Sequence, residues 1–237
     1  MPVYRLREEL VFPPPELAEE NGLLAIGGDL SPARLLLAYS MGIFPWFNEE
    51  DPLLWWSPDP RCVLFPKDLH VSRSLTKVLR QERFKVTFNQ AFGEVITACS
   101  QVKRKDGVGT WITLEMLEAY QRLHRLGCAH SIEAWQEGQL VGGLYGVGLG
   151  RFFFGESMFH RVSNASKVAF VTLVGTLAQQ KFLLIDCQMP SQNLRSLGAT
   201  NISRQRFLAL LQQGGLFPSA HPDRGTFPLE PSRFYAA

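Results

Sequence analysis

Residues 130–160 read HSIEAWQEGQLVGGLYGVGLGRFFFGESMFH, which is three apolar runs separated by two turns. Glu137-Gly138 and Gly148–Gly150 supply the turn residues, so the stretch predicts antiparallel strands joined by hairpins. A helical stretch over about residues 164–180 and a buried strand, FLLIDCQ over 182–188, follow it. Antiparallel strands followed by a helix and another strand indicate a mixed α/β (α+β) domain.

Helix start and stop signals extend this pattern towards both termini. Ser31, with Pro32 at the first helical position, predicts a helix that ends at Gly42. Further helices are predicted from Ser72 to about Glu82, Asn89 to about Ser100, Thr113 to Gly127, and Ser203 to Gly214. The composition changes near residue 62, which predicts a small domain over 1–62, rich in Pro, Gly and aromatic residues, and a larger one over 63–237. The order of elements in the larger domain is typical of an acetyltransferase-like (GNAT-like) fold.

The composition is that of a folded protein with an uneven distribution of charge. Hydrophobic residues make up 46% of the chain, and no apolar stretch approaches the roughly 20 residues of a membrane span. The net charge is +2, but residues 1–62 carry four basic and ten acidic side chains, or −6, which leaves +8 for the remainder. A basic body suggests a polyanionic partner such as nucleic acid, although many proteins with uneven charge bind none.

Several functional classes are disfavoured by motifs that the sequence lacks. The N-terminus does not show the order of basic and apolar residues of a secretory signal, and the four cysteines are scattered without a C-x-x-C pair. We therefore expect a cytoplasmic protein with reduced thiols and no metal site. The segment after GESMF, HRVSNASKVAF, has no glycine, which argues against a glycine-rich turn for the pyrophosphate of coenzyme A.

The end of the strand FLLIDCQ carries an acid and an amide. Alternation along a strand places Asp186 and Gln188 on one face and Cys187 on the other. Such a pair has either a catalytic role or a structural one, in which Asp186 only accepts hydrogen bonds from nearby backbone amides. The spacing alone favours the structural role.

The run FFFGESMF places one carboxylate among aromatic residues. Alternation puts Phe152, Phe154 and Glu156 on one face, and a bulge at Gly155 would shift this register by one. Glu156 is then either the rim of a core strand or the anion of an apolar pocket that holds a substrate ammonium. Both interpretations remain open.

Two tryptophans and one helix face are candidates for contact with nucleic acid. Trp46 and Trp111 lie near glycines in GIFPWF and GTWIT, where an indole can stack on a base, although core packing explains most tryptophans. Arg73, Lys77 and Arg80 recur at helical spacing, which fits either phosphate contact or an ordinary solvated surface.

The motifs together resemble one family, the leucyl/phenylalanyl-tRNA–protein transferases. The resemblance covers about residues 12–217 and is carried by NGLLAIGGDLSPARLLLAYSMGIFPWF, WWSPDPR, GTWIT, AYQRLHRLGCAHSIEAW, LVGGLYGV, GESMF, NASKVA and IDCQ followed by SLGA. It implies a small N-terminal α/β domain, an acetyltransferase-like domain without a coenzyme A loop, and no cofactor or metal. It also implies transfer of Leu or Phe, and less well Met, from charged tRNA to the N-terminal amine of proteins that begin with Arg or Lys. Such proteins would then enter N-degron degradation, and we expect the enzyme to be a monomer.

The resemblance also implies roles for single residues. Asp186 would polarise Gln188, which would withdraw a proton from the acceptor amine, and Glu156 would hold the donor's α-ammonium. The residues implied to bind the rest of the donor are Trp46 and Trp111 for the terminal adenosine, and Leu144, Phe153, Met158, Phe170 and Ile185 for the side chain. The residues implied to meet the tRNA body are Arg73, Lys77 and Arg80. Ser191 and Asn193 depart from the family pattern, so no catalytic His is assigned.

Two alternatives compete with this interpretation. An acyl-coenzyme A N-acyltransferase of the same fold would bind acetyl-coenzyme A saturably. A non-catalytic RNA-binding protein would bind charged and uncharged tRNA alike and would not depend on Asp186.

Overall fold

The computed structural model describes residues 3–102 and 112–232. The helices are α1 (Pro32–Ser40), α2 (Arg73–Arg80), α3 (Phe92–Ser100), α4 (Leu114–Arg125), α5 (Ala165–Gln179), α6 (Gln192–Ser196) and α7 (Arg204–Gln213). The strands are β1 (Tyr4–Leu6), β2 (Leu23–Gly27), β3 (Phe44–Pro45), β4 (Leu54–Trp56), β5 (Arg61–Leu64), β6 (Lys85–Phe88), β7 (Ala129–Gln136), β8 (Gln139–Leu149), β9 (Phe152–His160), β10 (Leu184–Gln188) and β11 (Thr200–Ile202).

These strands form two sheets. The small sheet has the order β1-β2-β4-β3, and the large sheet has the order β11-β5-β10-β9-β8-β7-β6. In the large sheet β9 and β10 pair in parallel, whereas the other described neighbours pair antiparallel. Residues 130–160 therefore form most of the predicted meander β7-β8-β9, and the predicted mixed α/β class is confirmed.

Four helices begin where the sequence predicts. The side-chain oxygens of Ser31, Ser72, Thr113 and Ser203 each accept a hydrogen bond from the backbone N–H three residues later, and α1, α2, α4 and α7 begin at the next residue. Such a cap satisfies one of the unpaired N–H groups of the first turn and contributes about 1 kcal/mol.

The helix start predicted at Asn89 is wrong. Helix α3 begins at Phe92 after Ala91, which has no side chain that could cap it. Asn89 has a φ of 59° and its Oδ1 accepts a hydrogen bond from the backbone N–H of Ser131 at 3.1 Å. Asn favours both helix caps and left-handed turns, so the sequence signal does not distinguish them.

Helices cover both faces of the large sheet. α1, α3 and α4 pack on one face, and α2 and α5 pack on the other. Neighbouring residues of β8 alternate accordingly, because Tyr145 belongs to the first core and Leu144 to the second.

The small sheet shares a hydrophobic core with the large one. Leu24 and Trp55 of the small sheet belong to the same buried cluster as Tyr145 and Phe154 of the large sheet. The boundary expected between residues 62 and 63 falls inside β5, which is a strand of the large sheet. The division into two domains stays a prediction.

Candidate active site

A cavity of about 540 Å³ lies against β8, β9 and β10, the central strands of the large sheet. β3, α3, α5 and α6 contribute further residues to its walls. The predicted site residues that line it are Trp46, Leu144, Glu156, Met158, Phe170, Ile185, Asp186 and Gln188. Side chains that are far apart in the sequence thus face the same cavity.

The cavity opens where β9 and β10 separate. Their parallel pairing ends at Asp186 and Phe154. Just beyond this point β9 bulges against β8 with Glu156 as the extra residue, and the register of β10 against β5 shifts before Gln188. Bulges bend a strand and re-aim its side chains, so residues beyond them turn into the cavity. The bulge next to Gly155 produces the register shift that the sequence allowed.

Glu156 forms the polar centre of the cavity. Its Oε1 accepts hydrogen bonds from Tyr39 Oη at 2.7 Å and from Gln188 Nε2 at 2.8 Å, and its Oε2 accepts one from Tyr120 Oη at 2.9 Å. Burial raises the pKa of Glu156 to about 7, and the hydrogen bonds from both tyrosines act against this increase. A carboxylate has about four acceptor positions, so three protein donors leave room for one more.

Asp186 forms an ion pair with a buried arginine, Arg61. Nε and Nη2 of Arg61 donate to Oδ1 and Oδ2 of Asp186 at 2.8 and 2.6 Å. The guanidinium lies between the rings of Phe44 and Phe207, with its central carbon 4.7 and 4.6 Å from their centroids, and Nη1 donates to the Gly42 carbonyl. The bidentate geometry and the two aromatic faces fix the position of the carboxylate.

Asp186 reaches Gln188 through the backbone. Oδ1 of Asp186 accepts the backbone N–H of Gln188 at 2.9 Å, whereas the side-chain amide of Gln188 donates to Glu156. Gln188 has a φ of 58°, so the strand alternation that predicted a shared face ends at this residue. The carboxylate therefore holds an uncommon backbone conformation and does not contact the Gln188 side-chain amide directly.

The remainder of the cavity is largely apolar. Leu144, Met158, Phe170 and Ile185 line it, and three of them, Leu144, Phe170 and Ile185, are at most 3% exposed. An apolar cavity with a few convergent polar groups is the usual form of a small-molecule site.

Helix α6 borders this apolar part. The Ser191 hydroxyl accepts the backbone N–H of Leu194 at 3.2 Å and so caps α6. Nδ2 of Asn193 donates to Sδ of Met158 at 3.8 Å. Ser191 and Asn193 both line the cavity, and these hydrogen bonds give each of them a structural role in its wall.

Two family models match the chain. The model of leucyl/phenylalanyl-tRNA protein transferase matches residues 63–212, and the model of its N-terminal domain matches residues 28–59. The chain belongs to this family. A leucyl/phenylalanyl-tRNA–protein transferase of Syntrophotalea carbinolica is 64% identical over 228 residues, which are 96% of this chain and 99% of the relative. A leucyl/phenylalanyl-tRNA–protein transferase of Pseudomonas aeruginosa (strain PAO1) is 61% identical over 209 residues, which are 87% of this chain and 92% of the relative.

The predicted enzyme class is confirmed by this membership. The protein is an aminoacyltransferase with tRNA and protein substrates.

Two solved structures are more distantly similar. L-PGS from Bacillus licheniformis has a TM-score of 0.41 and 11% identity, covering 58% of this chain and 48% of its own. A GCN5-related N-acetyltransferase-like protein from Streptococcus suis has a TM-score of 0.33 and 15% identity, covering 68% and 60%.

Not every predicted site residue of the transferase lines the cavity. Phe153 is fully buried, with its ring 5.7 Å from that of Phe227, because it precedes the bulge where β9 is still paired on both sides. Trp46 lines the cavity and its ring lies 5.5 Å from that of Trp56. Trp111 lies outside the described residues.

The predicted tRNA-binding face lies on the surface of α2. Arg73, Lys77 and Arg80 are exposed, while Leu75 is buried in the core that α2 shares with α5. Helix α5 supplies Phe170 to the cavity, so the basic face lies on the same side of the large sheet as that wall.

Sequence reasoning missed three residues that contact the site. Tyr39, Arg61 and Tyr120 are fully or almost fully buried and bond to Glu156 or Asp186. Tyr39 lies in the apolar run LLLAYSM, and a buried hydroxyl requires a hydrogen-bond partner, which is a signal that could have identified it. Arg61 and Tyr120 have polar or charged neighbours in the sequence, so no such signal marks them.

The described parts of the chain contain neither a metal-binding cluster nor a membrane-spanning helix. Within residues 3–102 and 112–232, no group of three or more His, Cys, Asp or Glu side chains could hold a metal ion. None of the helices described above is long and apolar enough to cross a membrane.

Proposed function

We propose that this transferase takes Leu or Phe, and less well Met, from charged tRNA and joins it to the N-terminal amine of proteins that begin with Arg or Lys. The observation that carries the proposal is the single cavity in which an apolar region adjoins the carboxylate of Glu156 and the Asp186–Gln188 turn. The names of the relatives support Leu and Phe as donors. No cofactor takes part, and the new N-terminal residue marks the product for N-degron degradation.

The apolar region holds the donor side chain. Burying a Leu or Phe side chain against Leu144, Phe170 and Ile185 gains about 1.5–3 kcal/mol. A charged side chain would lose its hydration there without gaining a partner. Branching at Cβ places bulk close to the reacting carbonyl, so the shape of the cavity favours Leu, Phe and Met over Ile and Val.

Polar and aromatic groups hold the rest of the donor. The α-ammonium occupies the remaining acceptor position of Glu156. The terminal adenine stacks on Trp46 and, as the resemblance implies, on Trp111, and each such stack contributes about 1–3 kcal/mol. The ester carbonyl is thereby held beside Gln188.

The reaction joins the acceptor amine to the donor's carbonyl carbon. A C–N bond forms, the C–O bond of the ester breaks, and the proton lost by the amine balances the one gained by the ribose hydroxyl. The amide oxygen of Gln188 accepts the N–H of the amine, since Nε2 is engaged with Glu156. An amide is a weak base, so the positioning of a neutral amine against an activated ester supplies most of the rate.

The transferase contacts the tRNA body through the exposed face of α2. Arg73, Lys77 and Arg80 neutralise phosphates there and release counterions. We propose that it acts as a cytoplasmic monomer, with residues 1–62 as a small domain and 63–237 as an acetyltransferase-like catalytic domain.

A transfer assay without ATP tests this function. Labelled Leu, Phe, Met, Ile and Val on their own tRNAs are offered with a peptide that begins with Arg or Lys, and with a control peptide that begins with Glu. We expect transfer of Leu and Phe, weaker transfer of Met, little of Ile or Val, and none to the control. Folded enzyme that transfers nothing from freshly charged tRNA would contradict the proposal, and saturable binding of acetyl-coenzyme A would favour the acyltransferase alternative.

A further inference from the structure

Two tyrosines contact Glu156 and have no part in the proposed reaction. Tyr39 from α1 and Tyr120 from α4 are both 0% exposed, and each donates its hydroxyl to one oxygen of the Glu156 carboxylate. The two hydroxyls also contact each other. Phe would fill the same apolar space, so the contribution specific to Tyr at these positions is the hydrogen bond of its hydroxyl to Glu156.

Burial works against a charge on Glu156. A carboxylate that leaves water is stabilised only by hydrogen bonds or by a cation. Among the described residues, the titratable groups around it are Tyr39 on α1, Cys99 on α3, Tyr120 on α4, Tyr145 on β8, and Asp186 and Cys187 on β10. The described cation on this side, Arg61 of β5, is engaged with Asp186. Among the described groups, stabilisation of a Glu156 anion thus comes from hydroxyl and amide donors.

We propose that Tyr39 and Tyr120 are positioning residues that favour the ionised form of Glu156 and so allow the enzyme to select donors with a free α-ammonium. This inference rests on the proposed function. Each O–H···O⁻ bond stabilises the charged form of the carboxylate and leaves the neutral form less favoured. Burial and the nearby Glu156 charge raise the pKa of both tyrosines well above the usual value, so both remain hydrogen-bond donors.

The direction of the expected effect follows from the raised pKa of Glu156. With a pKa of about 7 in the folded enzyme, the carboxylate loses its charge as the pH falls through neutrality. Removal of one hydroxyl removes an interaction that lowers this pKa, so the pKa rises further. At neutral pH a smaller fraction of the enzyme then carries the anion, and the full fraction returns at higher pH.

The test measures kcat and KM for phenylalanyl-tRNA from about pH 6 to about pH 9 in the wild type, Tyr39→Phe and Tyr120→Phe. In each variant we expect the acidic limb of kcat/KM to move to higher pH. Each unit of movement lowers kcat/KM on that limb about tenfold. We expect this loss of kcat/KM to arise mainly from a higher KM, and the variants should match the wild type again at the alkaline end of the pH range. N-acetylphenylalanyl-tRNA, which lacks the ammonium, should be a poor donor for all three proteins.

Tyr145→Phe is the matched control. Tyr145 lines the same cavity, but its hydroxyl has no hydrogen-bond partner among the described residues, so the midpoint of the pH profile should stay at the wild-type value. A uniform loss of rate at every pH in Tyr39→Phe and Tyr120→Phe, with an unmoved midpoint, would overturn the proposal.

A second readout does not require transfer activity. The carboxyl carbon of Glu156 is titrated by NMR in the free enzyme, with Glu156→Gln to assign the signal. A higher Glu156 pKa in both tyrosine variants supports the role of the hydroxyls, and an unchanged pKa refutes it. A wild type that shows this titration but transfers no amino acid would refute the proposed function and leave the ionisation result standing.

Discussion

Arg61 and Asp186 form a buried ion pair between neighbouring strands, with Nη2 of the arginine 2.6 Å from Oδ2 of the acid. Both side chains are 1% exposed. Because Asp186 also accepts the backbone N–H of Gln188, the pair connects β5 to the turn that ends β10. The ion pair therefore joins two strands of the fold and also fixes Asp186, which lines the cavity.

Loss of Arg61 should destabilise the protein strongly. Arg61→Ala leaves the Asp186 carboxylate buried without its cation, and breaking such a pair costs about 3–5 kcal/mol. Arg61→Lys keeps the charge but loses the bidentate contact, so we expect a smaller loss of stability together with slower transfer. Urea denaturation followed by circular dichroism measures the free energy of unfolding.

An exposed ion pair serves as the control for Arg61. Arg122 and Glu118 lie 3.8 Å apart on the surface of α4, and Arg122→Ala should cost less than about 1 kcal/mol. If Arg61→Ala is no less stable than Arg122→Ala, Asp186 does not depend on its buried cation.

Phe170 should influence the choice of donor. Phe170→Leu enlarges the apolar part of the cavity, which should raise the transfer rate of Phe relative to Leu. In a hydrophobic pocket a methylene is worth about 1–3 kcal/mol, so we expect about a tenfold change in the ratio of kcat/KM values. Phe182→Leu alters the same hydrophobic core away from the cavity and should leave the ratio unchanged. If the ratio of kcat/KM for Phe to that for Leu is the same in the two variants, Phe170 does not contribute to the choice of donor.

Gly146 should not tolerate a side chain. It lies opposite Gly155 at the bulge, and a Cβ atom there would lie 2.3 Å from the backbone oxygen of Phe154. Gly146→Ala should therefore destabilise the protein by at least about 1–3 kcal/mol, as overpacking does. Gly93→Ala in α3 meets only a glutamine side-chain nitrogen at 3.8 Å and should be neutral or stabilising, which thermal unfolding of both variants would check.

Charge reversal on α2 should weaken tRNA binding. Arg73→Glu with Arg80→Glu removes two phosphate contacts, so affinity should fall and its dependence on salt should become less steep by about one unit for each lost contact. The control is Lys181→Glu with Arg206→Glu, which changes the net charge equally at exposed positions outside α2. Titration of fluorescent tRNA at several salt concentrations gives the slopes. Equal slopes for the two double variants would exclude this face as the tRNA surface.

Local signals in the sequence predicted much of the fold. The caps at Ser31, Ser72, Thr113 and Ser203 and the turn at Glu137-Gly138 depend on neighbouring residues alone, and the structure has them where they were predicted. β5, β6 and β11 were not predicted, because each is three or four residues long and is defined by its pairing with distant strands.

The candidate site was harder to predict than the elements that carry it. Alternation along β9 and β10 could identify Glu156 and Asp186 but not their partners. Tyr39, Tyr120 and Arg61 are brought to them by tertiary packing, and the bulges that turn Glu156 and Gln188 into the cavity form only when the strands pair. Neither these partners nor the bulges can be predicted from the sequence of one element alone.

The most direct measurement is a crystal structure of the enzyme with a non-hydrolysable phenylalanyl-adenosine analogue. We expect the phenyl ring to lie among Leu144, Met158, Phe170 and Ile185, with the analogue's α-amine within hydrogen-bonding distance of Glu156 and its carbonyl beside Gln188. An analogue bound elsewhere, with this cavity empty, would contradict the assignment of the cavity as the aminoacyl site.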